Sequence, residues 1–164
     1  MTASRRDTAP RHRPDDRPYD PWLDLRERWP HLQVVVEPMA GRLLGELRYP
    51  VIALRAGTTA AQRRCTLTHE IVHLERGIRD CGPWTDREER HVHDEVARRL
   101  VNTNQLVRAV RDIGGIQGGP ADVLRLAQVL DVDRQTMRIR LGQVTPRERA
   151  RIRALRLREV WSVA

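Results

Sequence analysis

His69, Glu70 and His73 stand as His-Glu-x-x-His near the end of a stretch predicted to be helical over 60–76. Four residues of helix make a little over one turn, so both imidazoles project from one face and can share an ion. Glu70 lies about 100° around the helix from His69, beside the ion rather than on it. There a carboxylate can take a proton from a water that the ion activates. The pattern supplies two ligands of a tetrahedral Zn²⁺ site and a general base. A core helix with two hydrogen-bonded histidines is the plain alternative.

The stretch that carries these residues reads as a buried helix. Thr58 or Thr59 can cap its start, Gly77 stands where a left-handed C-cap belongs, and no proline intervenes. Cys65, Leu67, Ile71, Val72 and Leu74 make it apolar on more than one face, as in a helix at the middle of a small domain. A third ligand must come from elsewhere, and a second helix is predicted from Asp86 to about Val101, with Thr85 as its cap. Val92, Val96, Ala97 and Leu100 form its apolar stripe, so Glu88 and Glu89, one turn earlier, project from near the buried face. Glu95 competes with them.

Around the two helices the chain divides by composition. Residues 1–20 are rich in Arg, Pro and Asp and are expected to be a disordered basic arm. Pro21 to Trp29 reads as a short amphipathic helix with Trp22, Leu25 and Trp29 covering the core. Leu32–Val36, Leu43–Tyr49 and Val51–Leu54 read as a small antiparallel sheet of about three strands, with Gly41 and Gly45 at turns or a bulge. Asn102 to Ile113 continues helically, and glycines at 114, 115, 118 and 119 make a flexible connection. Ala121–Leu130 and Arg134–Gly142, joined by Asp131-Val132-Asp133, form a helix-turn-helix pattern whose seam is Leu126, Ala127, Leu130, Val132, Met137 and Leu141. Asp133 caps its second helix, and a last helix follows Thr145-Pro146.

The chain of 164 residues has room for one domain with appendages. Its net charge of +8 comes entirely from arginine, since lysine is absent. From Arg134 to Arg158 Glu148 is the sole acid. That suits a phosphate backbone, and an arginine-rich solvated face accounts for it equally well. Two cysteines are no secreted disulfide framework. Cys65, one turn before His69, is expected in the core more than near an ion; Cys81 is expected as a free thiol more than as a fourth, inhibitory ligand. No apolar run has the length of a signal segment or a membrane span, so a cytoplasmic protein with reduced thiols is expected.

Arg64-Cys65-Thr66-Leu67-Thr68-His69-Glu70-Ile71-Val72-His73 resembles the R-x-T-x-x-H-E-x-x-H segment of the ImmA/IrrE family of metallo-endopeptidases. The resemblance runs from about Leu32 to Leu141. It implies an α+β, zincin-like fold: a small antiparallel sheet packed on the active-site helix, then a helical C-terminal region with a helix-turn-helix-like pair. The implied division is an arm over 1–20, a metallopeptidase domain over 21–113 and a helical extension over 120–164. In peptidases of this type an edge strand near the metal helix binds the substrate backbone, and Val51–Leu54 is the expected strand.

The family writes its second metal helix as E-x-x-A-N/D, with the first Glu as ligand. Setting Val92 at the small residue puts Glu89 at the ligand position and His93 at the following Asn/Asp, where this chain departs from the pattern. The resemblance thus implies one Zn²⁺ per chain on His69, His73 and Glu89, with Glu70 catalytic. Tyr49, His91, His93 or an arginine would stabilise the oxyanion. It also implies a narrow protein substrate, a helix-turn-helix repressor encoded nearby. The rival is a DNA- or repressor-binding regulator with a non-catalytic metal site. There Arg134, Gln135 and Arg138 would meet the partner or the major groove, although commitment of Met137 and Leu141 to the core favours salt-sensitive phosphate contact over sequence reading.

Overall fold

The computed structural model describes residues 17–77 and 86–161, with backbone alone at 156–161. It is an α+β protein, mostly helical, with a mixed sheet of three strands. The short helix α1 (Pro21–Arg28) begins at Asp20, whose carboxylate accepts the amides of Trp22 and Leu23. Strands β1 (Gln33–Glu37), β2 (Gly45–Arg48) and β3 (Val51–Arg55) follow, and then α2 (Ala60–Glu75). Thr59 caps α2 in a reciprocal box with Gln62, and Gly77 takes a φ of +79° just beyond its end.

The sheet corrects the all-antiparallel expectation. β1 runs parallel to β3, with Val34 opposite Ile52, while β2 folds back antiparallel with Leu47 opposite Ile52. The order β1-β3-β2 makes β3 the central strand, so Val51–Leu54 is not the edge. The physical reason is that both backbone edges of β3 are already paired, with β1 on one side and β2 on the other, while its Ile52, Ala53 and Leu54 are fully buried. The edges are β1 and β2.

Helix α2 is the wall between two cores. Leu67 and Ile71 pack with Leu47, Ile52 and Leu54 of the sheet and with Leu25. Cys65 and Val72, on the other side, pack with apolar side chains from the later helices. Each fully buried leucine or isoleucine contributes about 1.5–3 kcal/mol, so α2 is clamped from both sides.

The later helices are α3 (Asp86–Leu100), α4 (Thr103–Asp112), α5 (Pro120–Val129), α6 (Arg134–Gly142) and α7 (Pro146–Trp161). The stripe Val92, Val96, Ala97 and Leu100 of α3 is buried and faces α2 and α6. Between α5 and α6 Asp131 takes a φ of +49°, and the Asp133 carboxylate accepts the Thr136 amide to cap α6. Arg64 of α2 ties this turn down, donating to the carbonyls of Leu130 (3.1 Å), Asp131 (2.7 Å) and Tyr19 (3.0 Å).

α6 buries one charge. Arg140 donates from Nε to the Val101 carbonyl at 2.7 Å and pairs with Glu148 of α7. Glu148 also accepts from Thr103 Oγ1 at 2.7 Å and from the Thr145 amide at 2.8 Å. This network fixes α4, α6 and α7 together at one point.

Two further expectations meet differences. Trp22 does not cover the core but is 45% exposed, because Leu25 takes the buried side of α1. The arm expected over 1–20 falls mostly outside the described residues, yet its last members are tied in: the Tyr19 hydroxyl donates to Asp24 at 2.6 Å and its ring lies under Arg99.

Candidate metal centre

The packing of α2 against α3 brings His69, His73 and Glu89 together. The two Nε2 atoms are 2.9 Å apart. Glu89 Oε2 lies 3.4 Å from His69 Nε2, and Glu89 Oε1 lies 3.4 Å from His73 Nε2. One donor atom from each residue fits within a 4.8 Å cluster that could hold a metal ion. Ligand atoms of a tetrahedral ion with bonds of about 2.0–2.1 Å stand roughly 3.3 Å apart, so these spacings suit a first-row cation with little movement.

The protonation state suits it too. Burial holds the His69 imidazole down to about 3, and the neighbouring His73 and His93 rings push the same way. Burial also lowers His73, against the opposing pull of Glu89. Both rings are therefore neutral at neutral pH, with lone pairs free of protons for a metal. Glu89 is the acid that α3 supplies. Of its rivals, Glu95 is directed to Arg99 at 3.1 Å, and Glu88 is half-buried one residue before Glu89 and outside the converging set.

Glu70 is 3% exposed and lies between α2 and β2. A β carbon built on Gly45 would stand 3.4 Å from Glu70 Oε1 and would overlap Thr66 Cγ2. Gly45 thus lets the edge strand approach α2 beside Glu70, a role that turn propensity did not reveal. A glycine inside an alternating strand was the signal, since it marks close backbone approach.

The remaining sites separate. The His93 ring lies 4.9 Å from the His69 ring, close enough to act at the centre. Tyr49, in the β2 to β3 turn, lies at the opposite end of β2 from Gly45, with its hydroxyl 3.0 Å from His31 Nε2. His91 is exposed, as are Arg134, Gln135 and Arg138 on the opening turns of α6. Cys65 belongs to the core: its Sγ accepts the Asp133 amide at 3.2 Å, and burial pushes its thiol up to about 12. Cys81 and Thr85 lie outside the described residues.

No helix among the described residues is long and apolar enough to cross a membrane. Comparison with protein-family models, with curated proteins and with solved structures finds no match to the chain.

Proposed function

We propose that this chain is a cytoplasmic zinc-dependent endopeptidase of the ImmA/IrrE type, with a zincin-like core. The observation that carries the reading is the convergence of His69, His73 and Glu89 from two helices beside a buried carboxylate, Glu70. Two imidazoles and one carboxylate leave a fourth position open, the arrangement of a catalytic rather than a closed structural zinc site.

Zn²⁺, when bound there, supplies a Lewis acid that polarises the scissile carbonyl and lowers the pKa of water. The chain supplies the rest. Glu70 accepts the proton of the attacking water and delivers it to the leaving amine. Its burial keeps bulk water away from the carboxylate. An extended substrate joins the outer edge of β2, the strand that Gly45 brings against Glu70. His93, beside His69, is placed to stabilise developing negative charge, whereas Tyr49 is turned toward His31.

The family resemblance points to a repressor with a helix-turn-helix, encoded nearby, as the substrate. A second reading, a regulator that binds DNA or a repressor through the helix-turn-helix-like pair α5 and α6, draws on exposed Arg134, Gln135 and Arg138. Glu70→Gln separates the two, because it keeps the side-chain volume and removes the base. An enzyme loses hydrolysis and keeps its metal; a regulator keeps full biological activity.

A further inference from the structure

Far along the chain from α2, a half-open cleft of about 530 Å³ is lined by α5, α6, α7 and the glycine-rich connection. Its floor is apolar, made by Ile116, Val123, Leu141 and Ile152. Its rim carries three guanidiniums, Arg138, Arg149 and Arg153. Among the described residues none of these three side chains has an ion-pair partner, although Arg28, Arg48, Arg99, Arg111 and Arg140 all do. The one acid on the wall, Asp122, is already engaged: its carboxylate accepts the amides of Gln117 (2.6 Å), Gly118 (2.8 Å) and Gly119 (3.3 Å). The start of α5 is thereby closed to an outside anion, and among the described residues the arginines are the charged groups of the lining that no acid pairs.

We propose that this cleft is a binding site for a small amphipathic monoanion, a carboxylate on an aliphatic body, such as a medium-chain fatty acid. Ligand sites are clefts of roughly 300–1,000 Å³ with apolar walls and a few placed polar groups, and this cleft falls in that range. The apolar floor rewards burial of a hydrocarbon chain, and an arginine fork matches a carboxylate in two parallel hydrogen bonds. A free phosphate or a nucleic-acid backbone would use the rim and leave the floor in water. A cationic lipid would meet three like charges. The α6 wall is also the helix that packs on α3, so occupancy bears on the element that carries Glu89. The site stands independently of the peptidase reading.

Calorimetric titration of the full chain with decanoate tests the assignment, with decyltrimethylammonium and inorganic phosphate as counterparts lacking the anion or the chain. One decanoate per chain should bind saturably, and neither counterpart should. Arg138→Gln and Arg153→Gln, at exposed positions that leave folding intact, should each weaken decanoate about tenfold. Val123→Trp, which fills the floor, should abolish binding; a thermal melt reports whether it folds, and the arginine variants decide the matter if it does not. Equal affinity for the cationic counterpart, saturable binding of phosphate alone, or decanoate affinity unchanged by both arginine substitutions would overturn the proposal.

Discussion

A β carbon at Gly45 would stand 3.4 Å from Glu70 Oε1 and would overlap Thr66, so the edge strand β2 and helix α2 meet where the strand has no side chain. Gly45→Ala forces β2 and α2 apart and should destabilise the fold by about 1–3 kcal/mol, in the range of overpacking in a close-packed core. Zinc content should hold, because the atoms nearest a β carbon at Gly45 belong to Thr66, Ala53 and Glu70 rather than to His69, His73 or Glu89. A urea denaturation curve coincident with wild type would show that the strand has room to spare.

Metal content tests the ligand set. The chain purified without chelator should carry one zinc. His69→Ala and His73→Ala should both lose tight binding, since two remaining ligands make a poor site. Glu89→Ala should weaken zinc by more than the roughly 100-fold that loss of an outer-shell partner costs. Glu95→Ala should leave it unchanged, its carboxylate being directed to Arg99. Metal lost in Glu88→Ala and retained in Glu89→Ala would place the wrong residue of α3 at the centre.

Much of this arrangement is legible in the sequence, for local reasons. The caps at Thr59 and Asp133 and the left-handed Gly77 are set by residues adjacent in the chain, so they declare helix boundaries directly. The pairing of His69 with His73 needs only one turn of helix. Sheet topology is different, because alternation announces a strand without saying which strand lies beside it. The parallel pairing of β1 with β3 joins segments separated by β2, and nothing local encodes it. The unbroken apolar run Val51–Leu54 did carry a signal for a central strand, in that a solvent-facing side would alternate. Tyr49 is likewise set apart from the metal centre by strand direction, which spacing along the chain does not give.

The buried pair at the C-terminal helices makes stability depend on acid. Arg140 and the Thr145 and Thr103 donors hold the Glu148 carboxyl down to about 2 against burial, from an ordinary 4.5. A carboxylate whose pKa is depressed by folding contributes its full stability above the unfolded value of 4.5, and that contribution is lost as pH falls from there to about 2. Glu148→Gln leaves Arg140 buried without its charge partner and should cost about 3–5 kcal/mol at neutral pH. The gap between wild type and variant, read from denaturant melts, should narrow steadily below pH 4.5. A gap constant down to pH 2 would remove Glu148 from the account.

On nucleic acid, α6 is nine residues long, Met137 is fully buried and Leu141 packs against the core, which leaves Arg134, Gln135 and Arg138 as the exposed contacts. Any DNA affinity should fall steeply with salt and be indifferent to sequence, as expected when only phosphates are touched. Titration of labelled operator and scrambled duplexes at two salt concentrations checks this. A preference for one sequence that survives high salt, and that Arg134→Ala or Gln135→Ala removes, would favour the regulator.

The proposed hydrolysis turns on Glu70. A helix-turn-helix repressor of the kind proposed as substrate should be incubated with zinc-loaded wild type and with zinc-loaded Glu70→Gln, and the products read by mass spectrometry. Cleavage at a defined peptide bond by wild type, with none by Glu70→Gln at equal zinc content, is the expected result. Cleavage by both proteins, or full biological activity of Glu70→Gln, would contradict a peptidase built on this carboxylate.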